Sequence, residues 1–222
     1  MRGVSLKHQS LTPELLIRAY SVGIFPMSES RNDPSIFWVD PKMRGILPLN
    51  DFHISHSLKK TVRRGKFDVS FNTDFHKVIV ACAETPRPDR GTWINDQIIN
   101  AFTELHQIGL AHSVECRLGG NLVGGLYGVS INGLFCGESM FSSATDASKV
   151  ALVHLVARLK HCQLCLLDTQ FITDHLKVFG AIEIPSQAYL NHLQKALQSK
   201  AKFKSEISDN ECRLALEKLL QI

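Results

Sequence analysis

Gly137-Glu138-Ser139-Met140-Phe141-Ser142-Ser143 and, further along, Leu167-Asp168-Thr169-Gln170 decide the fold of this chain. Each places an acidic residue at the end of an apolar run, and one long amphipathic segment, residues 145–162, separates them. A strand, a helix and a second strand in that order make a right-handed crossover whose two strands run parallel. Both carboxylates then arrive at the same end of the sheet. The carboxyl ends of parallel strands are where open α/β sheets place their ligands. Glu138 and Asp168 are therefore candidates for acid–base or electrostatic work. The same positions also suit a helix N-cap and a surface turn.

Composition narrows the class. The chain has 222 residues, a length for one large domain or one domain with a smaller one attached. A hydrophobic share of 44% and a mean hydropathy of -0.02 are ordinary for a soluble globular chain. No apolar run approaches the roughly 18 residues of a membrane-spanning helix. The segment Met1-Arg-Gly-Val-Ser-Leu-Lys-His8 lacks the apolar core of a signal peptide, so the cytoplasm is the expected location. The cysteines at 82, 116, 136, 162, 165 and 212 fall mostly in apolar runs, where a free thiol behaves as a small hydrophobe. Cys162-Gln-Leu-Cys165 is a lone C-x-x-C, so neither a metal site nor a disulfide framework is expected. Net charge +4 matters less than where the charge sits.

Working outward, Thr12 caps and Pro13 opens a helix that stops at Gly23. Residues 24–50 carry four prolines and read as irregular structure with short strands at most. Residues 55–65 read as a helix with Lys59 and Arg63, and Lys60 and Arg64, each four apart on one broad face. No acidic residue occurs between Phe52 and Phe67. Such a face suits a phosphate backbone, and equally a solvated helix. A strand at 67–71, a helix at 74–83, a proline-containing loop and a helix capped by Asn95 or Asp96 follow. Strands at 111–117, 121–131 and 134–138 form a meander with Asn132-Gly133 as its hairpin turn. Gly124, Gly125 and Gly128 inside a strand suggest a bulge or close approach of a ligand. After the long helix come a strand at 164–168, a helix around His175, a strand at 181–184 and a helix at 186–198.

Three antiparallel strands, a helix and a parallel strand is the core order of the N-acetyltransferase superfamily fold. The expected class is thus α+β, with a sheet splayed between its two parallel strands and a small N-terminal domain. The expected divisions are 1–65 with the basic helix, 66–198 as the catalytic domain, and 199–222 as a C-terminal appendage. An acyl-CoA donor needs a glycine-rich turn at the start of the central helix, where backbone N–H groups hold a pyrophosphate. Residues 141–148 contain no glycine, which speaks against CoA. There is no P-loop, dinucleotide fingerprint or H-E-x-x-H, and no convincing nucleophile elbow. An acyl-CoA-dependent N-acyltransferase and a non-catalytic RNA-binding module remain the alternatives.

The chain resembles the leucyl/phenylalanyl-tRNA–protein transferases, aminoacyltransferases of the bacterial N-degron pathway. The resemblance rests on Tyr20-Ser-Val-Gly-Ile-Phe-Pro26, His53-Ile-Ser-His-Ser57, Gly91-Thr-Trp-Ile94, His112-Ser-Val-Glu115, Leu122-Val-Gly-Gly-Leu-Tyr-Gly128, Leu134-Phe-Cys-Gly-Glu-Ser-Met-Phe-Ser142, Ala147-Ser-Lys149, Asp168-Thr-Gln170, and Gly180-Ala181 through Ile184-Pro185. The family's Trp-Trp-Ser-Pro segment reads Phe37-Trp38-Val39-Asp40-Pro41 here, and the glycine-rich stretch that usually precedes the first helix has no counterpart.

The resemblance implies transfer of Leu, Phe or Met from aminoacyl-tRNA to the N-terminal amine of proteins that begin with Arg or Lys, marking them for degradation. The aminoacyl ester is already activated, so no cofactor, metal or membrane is required. Asp168 is implied as general base or proton relay, with Gln170 as its orienting partner. Glu138 is implied to attract the acceptor's positive charge. Leu126, Phe135, Leu152 and Leu155 are implied as the aminoacyl pocket, although each also suits the core. Gly124 and Gly125 would let the ester lie against backbone. Trp38 and Trp93 are implied as contacts for adenosine or the acceptor peptide. Lys59, Lys60, Arg63 and Arg64 become contacts for tRNA, directed by shape and phosphate rather than sequence.

Overall fold

Residues 111–142 are buried in long continuous runs because both faces of the meander they build are covered, and this meander is the floor on which the other elements pack. The computed structural model describes residues 11–86 and 91–221. The first ten residues, where the sequence shows no signal-peptide core, and the loop around Pro88 lie outside the described residues. The chain begins α1 (Pro13–Ser21), β1 (Phe25–Met27), β2 (Phe37–Val39), β3 (Met43–Ile46), α2 (His56–Arg63), β4 (Asp68–Phe71), α3 (Phe75–Glu84), α4 (Asp96–Gln107). It continues β5 (Ala111–Leu118), β6 (Asn121–Ile131), β7 (Leu134–Ser142), α5 (Ala147–His161), β8 (Leu166–Gln170), α6 (Asp174–Lys177), β9 (Ile182–Pro185), α7 (Ser186–Gln198), α8 (Asp209–Leu220).

Seven strands form one sheet in the order β4-β5-β6-β7-β8-β3-β9, and β1 with β2 form a separate ribbon. β7 and β8 are the parallel pair and α5 is their crossover. They are paired only where Leu134 to Cys136 meet Leu166 to Asp168. Beyond that point the two strands part, so the fold is mixed α+β with a largely antiparallel sheet splayed at its parallel pair. Asn132 at φ 51 makes the tight β6–β7 turn, as the Asn-Gly pair predicts.

Side chains divide between the faces with the period of a strand. Tyr127, Val129, Leu134 and Cys136 join a core under α1, α3 and α4. Leu126, Phe135 and Leu167 join a second core under α2, α5 and α8. Thr12 and Asn95 cap α1 and α4 as expected, accepting from the backbone N–H of Leu15 and Ile98.

Three features depart from the sequence reading. First, β3 falls where irregular structure is expected, and it inserts antiparallel between β8 and β9. Four residues flanked by Pro41 and Pro48 are too few to show a period, and Arg44 interrupts their apolar pattern. The main sheet therefore runs across the boundary expected at residue 65. Second, α5 is buried around most of its circumference rather than amphipathic. Its outer side is covered by α8, so residues 199–221 are part of the packed body. Arg158, 4% exposed, lies over the Phe71 ring and donates to the carbonyls of Lys204 and Ser205. Third, Gly124 and Gly125 serve packing inside the protein. A Cβ on Gly124 would collide with Ala147 at the start of α5, and one on Gly125 would lie 2.6 Å from the Val114 carbonyl oxygen.

Arg158→Ala removes the clamp on the tail. The loss is expected at about 1–3 kcal/mol, the scale of a buried polar group left without its partner, or about 2–12 °C in Tm for a chain of this size. Thermal unfolding measures it; an unchanged Tm would show that the tail is held by apolar packing alone.

Candidate active site

The gap between β7 and β8 opens just past Cys136 and Asp168, and both acidic residues singled out by the sequence sit at it. Their environments differ. Asp168 is fully buried. Its Oδ1 accepts from Arg44 Nε at 2.9 Å and from the Gln170 backbone N–H at 2.9 Å. Its Oδ2 accepts from Arg44 Nη2 at 2.6 Å and Tyr189 Oη at 2.8 Å, with Cys136 Sγ at 3.5 Å. Every lone pair of the carboxylate is engaged. Burial works against the Arg44 charge, but the Asp168 carboxylate beside it holds the guanidinium above its usual pKa. Burial and the Asp168 charge push the Tyr189 phenol up as well.

Glu138 is only half-buried and faces a cavity. Tyr20 Oη donates to its Oε1 at 2.8 Å and Gln170 Nε2 donates to the same oxygen at 3.2 Å. Both fixed donors therefore lie on Oε1, which leaves Oε2 for a substrate. Burial pushes the carboxyl up to about 8; the Tyr20 hydrogen bond opposes this, the Asp168 charge adds to it and the Arg44 charge opposes it. Gln170 sits at φ 55, in the left-handed region that a residue with a side chain rarely adopts.

The cavity has a volume of about 630 Å³, within the usual range for a small-molecule site. Its apolar lining includes Leu126, Met140, Leu152, Leu155 and Leu167, together with Phe25, Met27 and Trp93. Glu138 is the acidic side chain among the described residues that line it. Thr169 Oγ1 and His175 Nε2 are buried in its lining with no partner among the described residues. Burial and the Lys149 charge lower the His175 pKa, so its ring is neutral near pH 7.

The structure brings Glu138, Gln170, Leu126, Leu152, Leu155 and Trp93 together around this space. Asp168 stands behind it. Phe135 is fully buried on the α5 side, 5.6 Å from the Phe203 ring, and Trp38 is buried in the core with β2; neither lines the cavity. Tyr20, Arg44 and Tyr189 escape a reading of the sequence. Tyr20 opens a family motif without standing out in it, Arg44 is a lone cation in an apolar run, and Tyr189 shares a helical stripe with Leu193 and Ala196.

On α2, Leu58 and Val62 face the core while Lys60, Arg63 and Arg64 are exposed and Lys59 half-buried. Ser55 caps the helix. Arg63 also donates to the Leu220 carbonyl, 3.2 Å away. Among the described residues no group of His, Cys, Asp and Glu could hold a metal ion, and no helix is long and apolar enough to cross a membrane.

Residues 46–194 match the family model described as leucyl/phenylalanyl-tRNA protein transferase, and residues 9–42 match the one for that transferase's N-terminal domain. The chain belongs to the leucyl/phenylalanyl-tRNA protein transferase family. Membership makes it an aminoacyltransferase, working between tRNA and protein. It is 55% identical over 193 residues to a leucyl/phenylalanyl-tRNA–protein transferase of Paramagnetospirillum magneticum, covering 87% of this chain and 92% of that one. Among solved structures, it is similar to L-PGS from Bacillus licheniformis, with TM-score 0.40 and 12% identity over 91% of this chain and 60% of that one. A functionally unknown conserved protein from Staphylococcus epidermidis gives TM-score 0.40 and 10% identity, covering 82% of this chain and 68% of that one. The transferase family's two models meet between residues 42 and 46, at the start of β3.

Proposed function

We propose that this transferase moves Leu, Phe or Met from aminoacyl-tRNA to the N-terminal amine of cytoplasmic proteins that begin with Arg or Lys, marking them for degradation. The observation that carries the reading is the pair of donors on Oε1 of Glu138, the acidic side chain among the described residues that line the cavity, which leaves its Oε2 for a substrate. The donor's side chain enters the apolar part at Leu126, Leu152 and Leu155. Trp93 offers a face for the terminal adenine, a contact worth roughly 1–3 kcal/mol. The acceptor's ammonium approaches Glu138.

Chemistry then follows from position and proton balance. An α-amine has a pKa of roughly 7.7–8.0, and the Glu138 carboxyl lies at about 8. A proton passes between groups so matched at little cost. The freed amine attacks the ester carbonyl carbon, the C–N bond forms, and the bond to the ribose oxygen breaks. That oxygen leaves with the proton Glu138 had taken, and the regenerated Glu138 carboxylate takes the second proton, which the nitrogen sheds as the amide forms, and passes it to solvent. Gln170 orients the carboxylate, and Asp168, saturated by its own partners, orients Gln170. The ester needs no further activation, so holding amine and ester together supplies much of the acceleration.

The test is incubation with leucyl-tRNA carrying labelled Leu and peptides that differ only in their first residue. Label should enter peptides beginning with Arg or Lys. Transfer to none of them would overturn the reading, as would efficient transfer from an acyl-CoA instead.

The exposed cations of α2 are proposed to meet the acceptor stem. Replacing Lys59, Lys60, Arg63 and Arg64 with Ala should weaken tRNA binding. It should also flatten log affinity against log salt by about 0.7–0.9 for each phosphate that is no longer neutralised. Activity on an aminoacyl-adenosine, which has no tRNA body, should persist. A wild-type salt slope would reduce α2 to a solvated helix.

A further inference from the structure

Arg44 has no part in the chemistry above. It does not line the cavity, yet it is 1% exposed and lies at the centre of the site's polar network. We infer that Arg44 is a positioning residue for the transfer reaction: through Asp168 it holds the Gln170 backbone in the turn that aims the Gln170 amide at Glu138. This rests on the roles of Glu138 and Gln170 proposed above.

The path is continuous. A guanidinium so deeply buried must be fully paired. Arg44 gives Nε and Nη2 to the two oxygens of Asp168 and Nη1 to the Gly23 carbonyl at 2.8 Å. The rings of Phe25 and Tyr189 flank it, each centroid 4.5 Å from the guanidinium carbon. The fork thus fixes both the position and the rotation of the Asp168 carboxylate. Oδ1, held by Arg44 Nε, also accepts the Gln170 N–H. That bond secures Gln170 at φ 55, a conformation its side chain disfavours and which needs such support. From there Gln170 Nε2 reaches Glu138 Oε1. The bond to Gly23 ties the same guanidinium to the end of α1, three residues from Tyr20, the other donor to Oε1. One planar cation so sets both donors that orient the cavity carboxylate. A lysine, a single point of charge, would hold neither the rotation of Asp168 nor the Gly23 carbonyl together with it.

The experiment compares the full chain with Arg44→Lys and with Arg44→Met/Asp168→Asn, which removes both buried charges at once and is expected to fold. Arg158→Ala serves as a control that lowers Tm far from the site. Two readouts are taken: kcat and KM for leucyl transfer, and the side-chain NH2 resonances of Gln170 in 15N-labelled protein, assigned by their loss in Gln170→Glu. Arg44→Lys is expected to lower kcat by about 10²-fold, the scale of a small misplacement of reacting groups. KM for leucyl-tRNA should stay within about threefold of wild type, since uniform binding is untouched. The Gln170 NH2 resonances should move to the positions of a free, exchanging amide in both Arg44 variants. Arg158→Ala should change neither readout. If the Gln170 resonances hold in Arg44→Lys, or in the double variant should Arg44→Lys fail to fold, the inference is overturned. A loss of kcat in Arg158→Ala matching that in Arg44→Lys would also overturn it, since stability alone would then explain the effect. If the wild type itself transfers nothing, the proposed function falls, and the Gln170 resonances still decide the role of Arg44.

Discussion

Asp168→Ala is expected to lose both stability and turnover. The substitution strands Arg44, fully buried and without a carboxylate. Removing one member of a buried pair costs about 3–5 kcal/mol, so Tm should fall by about 6–20 °C for a chain of this length. Turnover at a temperature where the variant is folded should fall by about 10²-fold, because Gln170 loses the acceptor of its N–H. Binding of tRNA through α2 should hold. Thermal unfolding and single-turnover transfer measure the two effects separately. Turnover within a few-fold of wild type would remove Asp168 from the reaction altogether.

Glu138 predicts a pH dependence of similar size. Its carboxyl lies at about 8, so below that pH the ionised form grows about tenfold per unit. With an acceptor amine of low basicity, neutral across the range, the transfer rate should climb by about two orders of magnitude from pH 6 to its plateau. Glu138→Gln should be slow and flat over the same range. A loss confined to acceptors beginning with Arg or Lys would instead mark Glu138 as a selector of the first side chain. Stability carries the same signature with a definite sign. The folded-state pKa is raised, so the contribution of Glu138 is complete below the ordinary glutamate range and is lost as pH rises through about 8. The Tm of Glu138→Gln relative to wild type should therefore improve with rising pH.

The meander, the α5 crossover and the two carboxylates at one end of the sheet were legible because their signals are local. Strand alternation, an Asn-Gly turn and a strand–helix–strand order each occupy consecutive residues. The partners of the carboxylates were not legible for the opposite reason. Arg44 meets Asp168 across 124 positions and Tyr20 meets Glu138 across 118, and no periodicity spans such distances. The burial of α5 was hidden similarly, since only the packed tail reveals that its polar side, Arg158 included, has protein on it. Leu126, Leu152 and Leu155, which the resemblance implies as the aminoacyl pocket, line the cavity, whereas Phe135 and Trp38 do not: an apolar residue near a site lies in the core unless geometry opens a space beside it.

The insertion of β3 between β8 and β9 also sets an order of events during synthesis. Residues 43–46 leave the ribosome early, but both flanking strands are made much later, up to Pro185. At about 5–20 residues per second, that delay is on the order of ten seconds. Throughout it Arg44 remains a hydrated cation on an unpaired segment, and no shortcut through local pairing exists, because the closing strands lie most of the chain away. The site can thus be switched on only when the last strand arrives. Two fragments divided in the loop after β3 should likewise be inactive apart and regain a site only by threading that short strand into its slot.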